Sequence, residues 1–184
     1  MGEQANDIAQ ELALLHTLSG AGYARQVERI ACRHEFYPLQ GERGIYVCGG
    51  EHDSDYPNLL NAARKAVTHG YEVFILPNPK GVRTPDFILR HRNVYKLYDL
   101  KTIMGKTSAG NRLAESIGQT NRVLINIKTS YEAQRLALDI KHYFEANPNA
   151  VEVLVLKGNK EIVVYRSDVR IPTFLQTFRR RYEK

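Results

Sequence analysis

The sequence predicts an α/β protein, a central mixed sheet flanked by helices with an N-terminal helical segment; α+β is the other arrangement its pattern allows. Three observations predict this. Short apolar runs of strand character alternate with helical periodicity through the middle of the chain. The opening residues carry apolar side chains at helical spacing. The 184 residues, 43% hydrophobic and 25% charged, suffice for one sizeable core with a small appendage.

Residues 1–40 form the expected helical segment and residues 41–184 the α/β domain. Ile8, Leu12, Leu15 and Leu18 share one helix face. Ser19-Gly20-Ala21-Gly22 breaks that helix, and Tyr23 to Cys32 can form a second. Ile45-Tyr46-Val47-Cys48 reads as a strand among glycines. No GxxxxGK[ST] accompanies those glycines, so a phosphate loop is not indicated. Pro57 opens and Gly70 closes a helix over Leu59 to His69. Tyr71 to Leu76 reads as a buried strand. Asp86 to Leu89 and Val94 to Ile103 read as two strands joined by the polar turn Arg90-His91-Arg92-Asn93. A loop follows, then a short helix over Asn111 to Ile117 and a buried strand over Arg122 to Ile127. Ser130 to Ala146 is amphipathic, with Ala133, Leu136, Ala137, Ile140 and Phe144 on one face and Ser130 as its cap. Val151 to Leu156 and Glu161 to Tyr165 form a hairpin, and Thr173 to Glu183 a basic helix.

Composition narrows the function classes. No apolar run approaches the ~20 residues of a membrane span. The polar, acidic start is not a secretory signal, and Asn6 stands where a myristoylation motif wants Ser or Thr. Cys32 and Cys48 are the only cysteines and form no zinc pattern, so reduced thiols and a cytoplasmic location are expected. The net charge of +6 favours a polyanionic partner.

The residues fit for chemistry lie on the paired strands. Thr84-Pro85-Asp86-Phe87 precedes Tyr98-Asp99-Leu100-Lys101-Thr102 across the hairpin. Side chains alternate along a strand, so Asp99 and Lys101 project on one side, about 7 Å apart. Two carboxylates can hold a hard divalent cation such as Mg²⁺ or Mn²⁺ through oxygen. A lysine beside them can stabilise phosphate charge or help activate water. The competing reading makes Asp86 a strand-opening turn residue and Asp99–Lys101 an ion pair on a solvated sheet. Basic residues supply a second line. Lys80 and Arg83 precede Asp86, Arg90 and Arg92 lie in the hairpin, Lys106 and Arg112 follow Lys101, and Arg179-Arg180-Arg181 end the chain. Several can follow a nucleic-acid backbone, RNA or DNA. Tyr95 and Tyr98 can stack on unpaired bases or serve the core. His52, His69, His91 and His142 lack metal-ligand spacing.

In this order of elements, Pro85-Asp86 followed by Asp99-Leu100-Lys101 resembles the core of the PD-(D/E)XK nuclease superfamily. Within it, the sequence is similar to the C-terminal tRNA-nuclease toxin domains of contact-dependent growth-inhibition proteins. The similarity runs through Gly70-Tyr71-Glu72-Val73, the two strand motifs and Gly118-Gln119-Thr120-Asn121-Arg122-Val123-Leu124-Ile125-Asn126. It covers roughly residues 50 to 165 and leaves residues 1–40 uncovered.

The resemblance implies a metal-dependent endonuclease that hydrolyses phosphodiester bonds, with RNA, tRNA in particular, favoured over DNA. Asp86 and Asp99 would bind Mg²⁺ or Mn²⁺, Lys101 would orient or activate water, and Gln119 would assist. Thr102 and Lys106 would touch phosphate. Many members carry a glutamate on the first core helix, where this chain has Asn58 and Asn61. The nearest acids are Glu51, Asp53 and Asp55, one of which would supply a third ligand. A catalytically inactive nucleic-acid-binding or interaction module of the same fold is the alternative. A bacterial or mobile-element origin fits this reading, as does a protein partner or self-association through the N-terminal helices.

Overall fold

The computed structural model describes residue 25 and residues 36–48, 54–77, 84–92, 94–105 and 108–184. The expected N-terminal helices lie outside the described residues. Among those residues the fold is one mixed sheet of eight strands with four α-helices. The strands are β1 (Tyr37–Pro38), β2 (Ile45–Val47), β3 (Glu72–Ile75), β4 (Phe87–His91), β5 (Val94–Ile103), β6 (Arg122–Ile127), β7 (Glu152–Lys157) and β8 (Lys160–Tyr165). The helices are α1 (Tyr56–Thr68), α2 (Ala109–Glu115), α3 (Ala133–Ala146) and α4 (Phe174–Glu183). The strands lie in chain order across the sheet. Pairing is parallel for β2–β3, β5–β6 and β6–β7, and antiparallel elsewhere. From α1 to β6 the order is helix, three antiparallel strands, helix, parallel strand.

The expected elements recur with shifted ends. Pro57 sits in the first turn of α1, where its missing N–H costs nothing, so the helix opens at Tyr56. The turn between β4 and β5 is tighter than expected. Arg90 and His91 belong to the strand, paired with Tyr95 and Val94, and Arg92 adopts a φ of 49°. Glu132, not Ser130, occupies the N-cap of α3. The short β1 and a 3₁₀ turn over Asp168–Arg170 carry no apolar periodicity and were not anticipated.

Strand alternation divides the interior into two cores. Odd-numbered residues of the central strands face α2, α3 and α4. There Ile103, Val123, Ile125, Ile127, Val153 and Val155 meet Leu113, Leu136, Ile140, Phe144 and Phe178. Even-numbered residues face α1. There Tyr98, Leu100, Leu124, Leu154 and Leu156 join Phe87, Leu89, Val73 and Ile75 against Ala62, Ala63 and Ala66. Every residue of β6 is buried, as a parallel strand covered on both faces requires. The small side chains of α1 let it lie close on the sheet.

One buried acid is structural. Glu152 is 1% exposed on the α1 face. It accepts from the Tyr98 hydroxyl and from Lys96 Nζ at 2.7 Å, with Arg122 Nε at 3.5 Å. Two hydrogen bonds and an ion pair satisfy one carboxylate and tie β5, β6 and β7 together. Tyr95 and Tyr98 are both buried, so they serve the core and not base stacking. The Cys48 thiol is buried and donates to the Ile75 carbonyl at 3.7 Å, and burial raises its pKa. Among the described residues no helix is long and apolar enough to cross a membrane.

Leu124 sits at the centre of β6, fully buried against α1. Leu124→Ala removes buried methyl groups and leaves a cavity beneath rigid neighbours. It should cost about 2–5 kcal/mol of unfolding free energy, measured by urea denaturation.

Candidate active site

The hairpin register builds the site. Phe87 lies opposite Tyr98, and the Asp86 N–H donates to the Tyr98 carbonyl at 2.9 Å, so Asp86 enters the sheet beside Asp99. Phe87 turns its ring to the α1 core, and alternation sends Asp86 the other way. Asp86 Oδ2 accepts the Leu100 backbone N–H at 2.6 Å. The Asp86 and Asp99 carboxyls meet in a side-chain hydrogen bond. Lys101 Nζ lies 3.0 Å from Asp99 Oδ2. The three side chains expected to act together are therefore brought together.

Burial distinguishes this cluster from a solvated ion pair. The Asp99 side chain is 3% exposed and the Lys101 side chain 13%. Asp86 retains some surface as a residue, but its carboxyl is enclosed. Burial, and next the charge of Asp99, push the Asp86 pKa well above the usual carboxylate range. The Leu100 N–H and Lys101 oppose that rise without cancelling it. Folding therefore favours the protonated form of Asp86. Tyr143 of α3 is close enough to Asp99 to feel its charge. Burial chiefly raises the tyrosine's pKa, the Ser116 and Asn147 hydrogen bonds lower it, and Asp99 adds to the rise.

The other expected residues are distributed more widely. Gln119, in the turn before β6, donates from Nε2 to the Glu115 carbonyl at 2.9 Å. Thr102 follows Lys101 and so projects on the opposite face, toward α1. Its buried hydroxyl has no hydrogen-bond partner among the described residues. A phosphate held by Lys101 would not meet Thr102 on the same side of the sheet. Arg112, on α2, forms an exposed ion pair with Glu115 at 3.0 Å. Asp55 stands at the N-cap of α1 and accepts from Asn58 Nδ2 at 2.7 Å. Glu51, Asp53, Lys80, Arg83 and Lys106 lie outside the described residues. Arg179 pairs with Glu183 at 2.9 Å, and Arg181 donates to the Val163 carbonyl at 3.3 Å, on the outer side of α4.

A second polar cluster went unread in the sequence. Asn61 Oδ1 accepts from Asn126 Nδ2 at 2.9 Å, and Asn58 Oδ1 from Lys128 Nζ at 3.3 Å. Lys65 Nζ donates to Asn126 Oδ1 at 2.6 Å and to the Ile127 carbonyl at 3.1 Å. The 3 and 4 spacing of Asn58, Asn61 and Lys65 was the available signal, a polar stripe along a helix that otherwise buries alanines.

Two carboxylates in contact supply hard oxygen donors suited to Mg²⁺ or Mn²⁺. Among the described residues no group of three or more His, Cys, Asp and Glu side chains could hold a metal ion.

In comparison with solved structures, the chain is similar to a chain of the CdiA-CT/CdiI toxin and immunity complex from Burkholderia pseudomallei. The two are 20% identical with a TM-score of 0.42, over 71% of this chain and 97% of that one. No protein-family model matches the chain, and no curated protein matches it.

The raised Asp86 pKa has a measurable consequence. Folded Asp86 keeps its proton above the pH at which the unfolded side chain loses it. Its contribution to stability is full below the ordinary carboxylate range and is lost as pH rises through the raised value. Asp86→Asn keeps an acceptor for the Leu100 N–H and donates toward Asp99 at every pH. In metal-free urea melts the variant should match wild type near pH 4 and exceed it near pH 8. Curves that stay parallel across that range would exclude the raised Asp86 pKa.

Proposed function

We propose that this protein is a metal-dependent nuclease, with Asp86, Asp99 and Lys101 at its active site. The observation that carries the reading is the contact between two enclosed carboxyls with a lysine ammonium 3.0 Å from one of them. The order of elements around it supports the same reading. Asp86 and Asp99 would hold Mg²⁺ or Mn²⁺. When bound, that ion supplies Lewis-acid polarisation of phosphate and a water of lowered pKa.

The chain's own groups have distinct tasks. Asp99 fixes the Lys101 ammonium by an ion pair, so the lysine presents its remaining N–H groups in a set direction. Those donors can bind a phosphate oxygen and offset charge as a phosphodiester is cleaved. The Leu100 N–H fixes the Asp86 carboxyl and keeps the pair in register. RNA, tRNA in particular, is the proposed substrate on the sequence resemblance, and Gln119 the proposed auxiliary residue.

One observation favours a second reading, a non-catalytic nucleic-acid-binding module. The first core helix presents Asn58 and Asn61, bonded to Lys128 and Asn126, in place of the glutamate that the resembled family carries, and it lies on the sheet face opposite Asp99 and Lys101.

Cleavage separates the two. Total RNA and plasmid DNA are incubated with the protein in Mn²⁺, in Mg²⁺ and in EDTA. Wild type should cut RNA only with added metal. Loss of groups that merely orient metal ligands costs about 10–100-fold, so Asp99→Asn should lower cleavage by more than about 100-fold. A melting transition close to that of wild type would show that the variant is folded. Equal cutting by wild type and a folded Asp99→Asn would refute the active-site assignment.

A further inference from the structure

We infer that the α1–β6 cluster of Lys65, Lys128 and Asn61 is a second phosphate-binding site, which holds the nucleic-acid backbone on the sheet face opposite the cleavage centre. This rests on the reading above in one respect, that nucleic acid is the substrate.

The cluster brings together two cations whose partners are amide and carbonyl oxygens. Lys96, Lys101, Arg64, Arg90, Arg112, Arg122, Lys141 and Arg179 each face a carboxylate. Lys65 and Lys128 do not: among the described residues their partners are the Asn126 and Asn58 amide oxygens and the Ile127 carbonyl. Asp55 is the nearby acid, and it accepts from the far end of the Asn58 amide. The two ammonium groups also repel each other. Burial first, then the charge of Lys128, lower the Lys65 pKa. An anion placed between them relieves both effects.

Donor bookkeeping identifies the kind of anion. An ammonium has three N–H donors. Lys65 uses two and Lys128 one within the protein, which leaves three between them. The Asn61 Nδ2 group, midway along the same stripe, adds further donors with no partner among the described residues. Several convergent donors without an acceptor suit a tetrahedral oxyanion. Lys128 is exposed, so the site is open to a ligand from solution.

Position sets it across the sheet from the proposed chemistry. The Lys128 N–H donates to the Ile103 carbonyl at 3.0 Å, and Lys101 pairs with Ile125. Lys128 therefore lies about 10 Å along β6 from the level of Lys101 and, like Asn126, on the α1 face. Both sites sit toward the carboxyl ends of the parallel pair β5 and β6, where α/β sheets commonly bind ligands. A polymer with regularly spaced phosphates that crosses that end of the sheet meets both faces.

Binding of a short fluorescent single-stranded RNA, measured in EDTA across a salt series, tests this. Lys128→Gln and Lys65→Gln should each bind roughly tenfold more weakly, and each should reduce the log–log salt slope by about 0.7. Lys128→Arg should retain binding, and thermal melts establish which variants are folded. Folded Gln variants with wild-type affinity and slope would overturn the site. Wild type that binds with the lysine-dependent slope but cuts nothing with Mn²⁺ would remove the nuclease reading and leave the phosphate site standing. Wild type that does not bind RNA at low salt would overturn the phosphate site.

Discussion

The hydrogen-bond register between β4 and β5 is the constraint on which both cores and the candidate site depend. β5 is shared: Tyr98 and Leu100 serve the α1 core, while Asp99, Lys101 and Ile103 face α2 and α3. A slip of one residue would exchange these sets, driving a lysine and an aspartate into the α1 core. Because both faces are covered, that slip is heavily penalised. Phe87 and Leu89 fix the register from the β4 side. Aiming Asp86 at the Leu100 N–H is a by-product of burying them.

Two buried acidic clusters lie on the two faces of this sheet, and their donor balance differs. Glu152 is one carboxylate with two hydrogen-bond donors and a guanidinium beside it, an arrangement that joins three strands. Asp86 and Asp99 set two carboxyls together, with Lys101 and the Leu100 N–H beside them, and burial and then the charge of Asp99 raise the Asp86 pKa. The first arrangement surrounds a single acid with donors and cations. The second places two acids side by side, and burial of such a pair opposes folding once both are ionised. A site that departs from the stabilising pattern while its neighbour obeys it is where function is expected.

What the sequence revealed followed its local periods. Alternation marked β3 to β6, the 3.6-residue period marked α3, and chain order placed Asp86 near Asp99-x-Lys101. Features set by distant partners were not legible. Tyr95 and Tyr98 have the composition of stacking residues, and only the packing of Phe74 and the Glu152 carboxylate shows them to be core. Thr102 reads as a neighbour of Lys101, yet the pleat sends it to the other face. Asn58 and Asn61 registered as a missing acid, because the residues that give them meaning, Asn126 and Lys128, lie about 65 positions later.

The amides of α1 bear on the lysine cluster alone. α1 lies on the even-numbered face of the sheet, with Asn126 and Lys128, while Asp99 and Lys101 lie on the odd-numbered face. An acid at Asn58 or Asn61 would face Lys65 and Lys128 and neutralise them, and it would stand across the sheet from the carboxyl pair. With amides there, the α1 side stays positive. On the proposed reading, Asp86 and Asp99 would then hold a cation through two protein carboxyls, and substrate phosphate would supply further oxygen. Metal would bind more tightly with substrate than without it, and by linkage substrate more tightly with metal.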